Sequence, residues 1–174
     1  RDVIHYAHSP LQLLQPAAGM KCVTLDLAVH AKNIGYLAGA GDTVDDCLRG
    51  MGCTVTELTT NDLTLDNLKK FDAIVTGVRL FDTHRNLGSG LTALFDYVQG
   101  GGNVVMQYNR VDGLQSTPLT LKISQGNQAR VTDERAPMTF RALYSPVLNT
   151  PNKITSADFD NWIQERGTYF RNQW

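Results

Sequence analysis

Phe71-Asp72-Ala73-Ile74-Val75-Thr76-Gly77-Val78-Arg79 is the stretch of sequence that decides the fold. Its centre, Ala73–Val78, is short and almost continuously apolar, which is typical of a strand covered by helices on both faces of a parallel sheet. Three further runs have the character of strands, at residues 33–37, 54–58 and 103–108. The sequence therefore predicts four buried strands.

Segments with a helical spacing of apolar residues separate these strands. Val44, Leu48 and Met51 fall on one face of the first helix, which Asp42 or Thr43 can cap. A short helix is predicted at 65–69 and a longer one at 91–98. Strands that alternate with helices, joined by right-handed crossovers, indicate an α/β fold. We expect a three-layer, doubly wound, mainly parallel sheet of the flavodoxin-like kind.

The flanking segments differ from this core. Residues 1–31 contain two predicted short strands, Val3–Tyr6 and Cys22–Leu27, and we expect an arm or a linker from a preceding domain there. Residues 32–174 form the predicted α/β domain, whose tail is β-rich and polar. Its predicted extra elements are strands at Leu119–Ile123 and Met138–Phe140 and a last helix at Ser156–Arg166. Because the chain begins with Arg1 and not Met, we expect functional parts outside it.

The composition argues against several classes of function. The 16 basic and 17 acidic residues give a net charge of -1, whereas nucleic-acid binding favours a clustered excess of Lys and Arg. No apolar run approaches the roughly 20 residues that span a bilayer. Cys22, Cys47 and Cys53 form no CxxC pair, and we expect buried free thiols. The histidines match no metal-binding motif, so we predict neither a metal nor a cofactor.

Polar side chains gather at the predicted carboxyl ends of the strands, where open α/β sheets bind ligands. Gly39-Ala40-Gly41-Asp42 begins like a dinucleotide fingerprint, but Val44 takes the place of the third glycine, which favours a tight turn before a helix. Arg79 either binds a carboxylate or holds the sheet's end through carbonyl groups. The predicted ligand-binding residues are Gly41, Asp42, Arg79, Asp82, His84, Tyr108 and Asn109.

A nucleophile is missing from the positions where this kind of fold carries one. A catalytic Cys or Ser stands on the sharp turn between a strand and a helix. Those turns hold Val78 and Arg79 after the third strand, and Tyr108 and Asn109 after the fourth. We therefore predict no catalytic residue in this chain. The strand ends indicate a binding pocket more than they indicate catalysis.

Five segments together resemble a known arrangement, the C-terminal region of bacterial proteins of the PIG-L-type (LmbE-like) N-acetylglucosaminyl deacetylase family. That region is similar in fold to class I glutamine amidotransferase domains, and the resemblance covers about residues 30–174. The segments that carry it are Ile34-Gly35-Tyr36-Leu37-Ala38-Gly39-Ala40-Gly41-Asp42, Phe71–Arg79, Met106-Gln107-Tyr108-Asn109, Val131-Thr132-Asp133-Glu134 and Leu148-Asn149-Thr150-Pro151-Asn152-Lys153-Ile154-Thr155.

The resemblance implies a non-catalytic accessory domain, either ligand-binding or scaffold, attached to a zinc-dependent deacetylase module in the same polypeptide. It suggests a carbohydrate ligand and export to the periplasm or the cell exterior. Two departures limit what it implies: His8-Ser9-Pro10 does not match the deacetylase's His-Pro-Asp-Asp type of zinc motif, and the amidotransferase nucleophile is absent. The alternative hypothesis is a hydrolase or amidotransferase with an unconventional site around Asp82, His84 and Tyr108.

Overall fold

The computed structural model describes residues 2–15, 17–20, 22, 24, 26–84, 87–109, 122–123, 133–161 and 171–173. Its strands and helices, in chain order, are β1 (Asp2–Ile4), β2 (Gln12–Leu14), β3 (Asn33–Leu37), α1 (Val44–Gly50), β4 (Thr54–Leu58), α2 (Leu65–Leu68), β5 (Ala73–Thr76), α3 (Leu80–Thr83), α4 (Ser89–Gln99), β6 (Asn103–Met106), β7 (Lys122–Ile123), α5 (Pro146–Asn149) and β8 (Arg171–Gln173). Short 3-10 helices lie at Thr60–Asp62 and Ser156–Phe159.

A four-stranded parallel sheet forms the centre of the fold. Its strands lie in the order β4-β3-β5-β6, and every neighbouring pair is parallel. The chain first passes from β3 to β4, then returns across β3 to form β5 and β6. The direction of winding therefore reverses between β3 and β5. The predicted α/β class with a mainly parallel sheet is confirmed.

Each face of the sheet has its own apolar core. Neighbouring residues of a strand point to opposite faces, and in β5 Ile74 joins the larger cluster with Leu68 of α2 and Leu94 of α4. Val75 joins the smaller cluster, against which Leu48 of α1 packs. Helices thus lie on both faces, which explains why β3 and β5 are apolar almost throughout.

Helix α1 begins through Asp42, one of the two residues predicted to cap it. Asp42 Oδ1 accepts a hydrogen bond from Val44 N at 3.1 Å. Thr43 precedes the first helical residue, but its side chain makes no capping bond. At the other end Gly52 adopts φ +86, a left-handed conformation that lets the chain turn into β4 at little cost.

Two strands end earlier than the sequence predicts. β5 ends at Thr76 and not at Val78, and β6 ends at Met106 and not at Tyr108. The ladder stops because the chain bends away after Thr76, reaching a left-handed conformation at Arg79, with φ 59. The loop predicted after this strand begins with the short helix α3.

The flanking elements agree less well with the sequence. In the arm, β1 pairs antiparallel with β2, and the described residues of Cys22–Leu27 are not in a strand. β1 pairs with β2, which is near in sequence, because closing a short loop costs little chain entropy. Met138–Phe140 is also outside any strand, which corrects that prediction. This segment follows Pro137, which has no backbone N–H to donate to a neighbouring strand.

In the tail, the described part of the predicted strand Leu119–Ile123 is β7, which pairs antiparallel with β8. The described part of the predicted helix Ser156–Arg166 begins with a 3-10 helix that ends at Phe159, and residues 162–166 lie outside the described residues. None of the helices in the described part is both long and apolar enough to cross a membrane.

The end of the predicted arm contacts the main domain. Val29 and Ala31 pack against the smaller core cluster. Ala28 and Asn152 form two hydrogen bonds, 2.8 Å from Ala28 N to Asn152 Oδ1 and 2.9 Å from Asn152 Nδ2 to Ala28 O. Residues 28–31 therefore lie on the sheet domain, just before the boundary that we predicted at residue 32.

We predict that Gly39→Ala destabilises the domain by about 1–3 kcal/mol, the usual range for overpacking. A Cβ at Gly39 would lie 2.1 Å from the backbone oxygen of Val78, and backbone cannot move aside as a side chain can. Gly50→Ala is the matched control: nothing lies within 4 Å of its Cβ position, and it is helical. The control should gain about 0.5–1 kcal/mol. Urea unfolding measures both, and equal stabilities would contradict the prediction.

Candidate functional site

The carboxylate of Asp42 joins three elements at the carboxyl end of the sheet. Its Oδ1 accepts hydrogen bonds from the Tyr36 hydroxyl at 2.6 Å and from Val44 N, and its Oδ2 accepts one from Val78 N at 2.7 Å. These donors lie in β3, at the start of α1 and just after β5. The winding reverses between β3 and β5, and such reversals are where open α/β sheets bind ligands. The carboxylate of Asp42, which we predicted to bind a ligand, therefore bonds groups of the protein itself.

Asp42 is charged and Tyr36 is protonated at neutral pH. Partial burial works to raise the pKa of Asp42, but hydrogen bonds from Tyr36, Val78 and Val44 outweigh it and hold the pKa below the ordinary 3.8. Burial, and then the bond to Asp42, raise the pKa of Tyr36 far above its ordinary 10. A proton on this pair stays with the tyrosine, so the pair is a fixed link and not an acid–base pair.

Two glycines allow this close contact between the chain after β3 and the chain after β5. Ala40 N donates to Val78 O at 2.7 Å. A Cβ on Gly77 would lie 2.5 Å from the backbone nitrogen of Gly39. Gly41, a predicted ligand-binding residue, has φ +109 and open space around its Cβ position. The GxG sequence is thus a close-packed turn, with Gly41 present for its backbone conformation.

Arg79 stands on the β5–α3 turn, the strand-to-helix turn Gly77–Leu80 where we predicted that a nucleophile is missing. Its backbone is left-handed, and its N–H donates to Tyr108 O at 2.7 Å. Its carbonyl accepts from Asp82 N at 3.0 Å and Thr83 N at 3.1 Å. Its Nε donates to Asp82 Oδ2 at 3.1 Å, with 40% of the Arg79 side chain exposed and 9% of the Asp82 side chain. The turn thus brings Arg79, Asp82 and Tyr108 together.

Asn109 is buried, with 3% of its surface exposed, and it links β6 to α3. Its Oδ1 accepts from Phe81 N at 3.1 Å, and its Nδ2 donates to Gln107 O at 2.8 Å. Both ends of the amide are therefore used within the protein. By contrast, Tyr108 is 47% exposed.

His84 lies at the carboxyl end of α3 and is exposed. Its Nδ1 is 3.0 Å from the Thr83 hydroxyl, and within the described residues no hydrogen bond joins it to Asp82 or Tyr108. The alternative hypothesis placed these three residues in one unconventional active site; among the described residues no hydrogen bond joins any two of them, and Asp82 and Tyr108 each bond Arg79 instead. A base with no orienting carboxylate is a weak general base for catalysis.

The predicted site therefore divides into two groups. One group, Gly41 and Asp42, closes the sheet between β3 and β5. The other lies beyond β5 and β6 and consists of Arg79, Asp82, Tyr108 and Asn109, with His84 farther along the chain.

Sequence reasoning missed three polar residues near these groups. Tyr36 is buried and bonds Asp42; a tyrosine inside an apolar strand signals that its hydroxyl needs a partner nearby. The Gln107 side chain also helps to hold down the pKa of Asp42. Its buried Nε2 and the buried Thr76 Oγ1 have no hydrogen-bond partner within ordinary distance in the described part of the chain. For Thr76 and Gln107 the sequence carries no such signal.

The described residues contain no group of three His, Cys, Asp or Glu side chains that could hold a metal ion. All three cysteines are free thiols. Only Cys53 is buried, and its Sγ donates to Ala31 O at 3.5 Å, whereas Cys22 and Cys47 are exposed. The expectation of buried thiols is wrong for those two, because Cys47 lies on the outer side of α1.

Comparison of the chain with protein-family models, with curated proteins and with solved structures finds no match. The resemblance to the deacetylase-associated region therefore stays a prediction.

Asp42→Asn should lower the free energy of unfolding by about 1–3 kcal/mol at pH 7, because the amide has one acceptor oxygen where the carboxylate has two, and its NH2 group would face a donor of the protein. The folded-state pKa of Asp42 is lowered, so its contribution is present above the ordinary pKa of 3.8 and is lost as the pH falls through the folded-state value. Urea unfolding from pH 7 to pH 2.5 measures it. A difference between wild type and variant that stays constant with pH would contradict this.

Asn109→Ala should cost about 1–3 kcal/mol, since it leaves the buried Phe81 N–H and Gln107 carbonyl without their side-chain partner. His84→Ala is the matched control from the same predicted site, and its exposed side chain should change stability by less than about 0.5 kcal/mol. Thermal unfolding compares the two. Equal effects would show that the amide of Asn109 is not a structural link.

Proposed function

We propose that this chain is a non-catalytic accessory domain, of flavodoxin-like and amidotransferase-like architecture, that binds a small ligand beyond β5 and β6. The observation that carries the proposal is the residue on the β5–α3 turn. A catalytic domain of this architecture needs a nucleophile on such a turn, and this chain has Arg79 there, held by Tyr108 and Asp82. An always-charged guanidinium binds and orients but does not attack a carbonyl carbon.

The engagement of the neighbouring polar groups supports the same proposal. Asp42 is fixed as a carboxylate by three donors, and the amide of Asn109 is used at both ends. Neither has the freedom that proton transfer to a substrate requires. Among the described residues of this group, Tyr108 and part of Arg79 face outward. They suit recognition: an exposed aromatic ring and a planar cation.

Carbohydrate is the ligand class that we propose, and a deacetylase module in the same polypeptide is the partner. The support is the sequence resemblance together with the exposed ring of Tyr108, since an amphipathic ring can pack on the apolar face of a sugar. In this proposal the deacetylation chemistry and its zinc belong to the other module, and the protein is exported. The strand-end surface of this chain then holds a glycan while the other module acts on it.

Two assays on the chain test the proposal. Glutamine hydrolysis and N-acetylglucosamine deacetylation should both show no turnover above buffer. Calorimetric titration with a panel of glycans, which includes amino sugars, uronates and their short oligomers, should detect binding of at least one of them to wild type, and Tyr108→Ala should weaken it. Because the Tyr108 ring is exposed, this variant should keep its stability, which urea unfolding checks.

The hydrolase or amidotransferase alternative predicts the opposite pattern. Turnover that disappears in His84→Ala would overturn our proposal, since that exposed residue has no structural task in the described contacts beyond its bond to Thr83. No turnover together with no heat from any of the glycans would leave only a scaffold role.

A further inference from the structure

We infer that the site beyond β5 and β6 recognises a carboxylate, so that its ligand is an acidic sugar and not a neutral one. The inference rests on the proposed ligand-binding function and names the chemistry of its ligand. The recognising group is the guanidinium of Arg79. The observations that carry it are the orientation of that guanidinium, its exposure and the backbone conformation beneath it.

The guanidinium of Arg79 is fixed on one side and open on the other. Its Nε donates to Asp82 Oδ2, and Asp82 itself is nearly buried. Across the described residues, the terminal nitrogens of Arg79 meet no hydrogen-bond acceptor, and the side chain is 40% exposed. The guanidinium is planar, and its terminal N–H groups, which have no described acceptor, match the two oxygens of a carboxylate. Asp82 orients the fork and is a positioning residue.

The backbone at Arg79 indicates a task for its side chain. Residue 79 has φ 59 and ψ 29, a region that glycine enters freely and that is strained for other residues. The backbone bonds of the turn are its N–H to Tyr108 and its carbonyl from Asp82 and Thr83, and glycine would make all of them with less strain. The side chain adds the ion pair to Asp82, which uses Nε and leaves the terminal nitrogens for a ligand.

The neighbours of Arg79 define how a ligand would sit. The main-chain bond from Arg79 to Tyr108 places the two residues side by side at the ends of adjacent strands. Tyr108 is half-exposed and offers an aromatic ring on the residue whose carbonyl accepts from the Arg79 backbone. A hexuronate has both matching parts, a carboxylate for the guanidinium and an apolar ring face for the tyrosine. Glucose has the ring and lacks the charge.

Nuclear magnetic resonance titration of the uniformly ¹⁵N-labelled chain tests the inference. The probes are glucuronate and glucose, with sodium chloride added to hold the ionic strength constant. The Nε–H signal of Arg79, identified by its disappearance in Arg79→Lys, should shift saturably with glucuronate and stay in place with glucose. Sodium chloride alone should not shift it.

Two variants and a control then separate recognition from folding. Arg79→Gly relieves the left-handed strain but also removes the ion pair to Asp82, so urea unfolding first establishes that the variant is folded, and the folded variant should bind glucuronate at least about tenfold more weakly. Arg79→Lys should show the same loss, because a lysine cannot form the two-pronged contact. Arg135→Gly removes one positive charge from an exposed site elsewhere and should bind like wild type.

The inference is overturned if glucuronate leaves the Arg79 signal unmoved, if sodium chloride reproduces the shift, or if Arg79→Gly keeps wild-type affinity. Glucose binding as tightly as glucuronate would also overturn it, while leaving the proposed ligand-binding function standing. Failure of the proposed function looks different, since it appears as enzymatic turnover or as the absence of binding by every glycan.

Discussion

The contact between the Asp42 carboxylate and its three donors is the constraint on which the carboxyl end of the sheet depends. A carboxylate that leaves water needs several donors to stay charged, and Asp42 finds them in β3, α1 and the chain after β5. The donors are close enough only because Gly39 and Gly77 let two backbones touch. One charged group thus fixes the exit of two strands and the entry of a helix.

This constraint also bears on where we propose that a ligand binds. In an open α/β sheet the crevice at the reversal of winding is the usual site, but here Asp42 bonds Tyr36 and the backbone after β5 across it. The accessible polar groups lie one strand farther along, beyond β5 and β6. There Asn109 performs the linking task that Asp42 performs between β3 and β5, and Arg79 and Tyr108 face outward.

The sequence predicts the interior of this fold better than its edges. The strands at 33–37 and 54–58 have the observed bounds. Four of the five residues of β3 are buried and form an apolar run, whereas β4 is a mostly exposed edge strand that is recognised by its β-branched Thr and Val residues. The ends of β5 and β6 were misplaced by two residues each, since a contact between distant segments, not local propensity, bends the chain after Thr76. The arm was misread at Cys22–Leu27 because a strand-like composition cannot say which segment will pair.

The sequence predicts which residues belong to the candidate site but not what each of them does. Position after a strand was enough to select Asp42, Arg79 and Asn109. Which of them faces inward depends on partners 28 to 36 residues away, Phe81 for Asn109 and Val78 for Asp42, and no local pattern encodes those pairings. The buried Tyr36 was overlooked for the opposite reason, because it reads as one more apolar strand residue.

The same end of the sheet carries several local costs at once. Arg79 holds a backbone conformation that favours glycine, and the buried Thr76 Oγ1 has no hydrogen-bond partner among the described residues. An unpaired buried polar atom costs about 1–3 kcal/mol, and the strained residue adds roughly 1 kcal/mol more. Valine at position 76 would remove the unpaired hydroxyl, and glycine at position 79 would remove the backbone strain together with the ion pair to Asp82. Costs of this kind cluster where side chains have tasks beyond folding, and here they lie at the strand ends that carry the partly exposed Arg79.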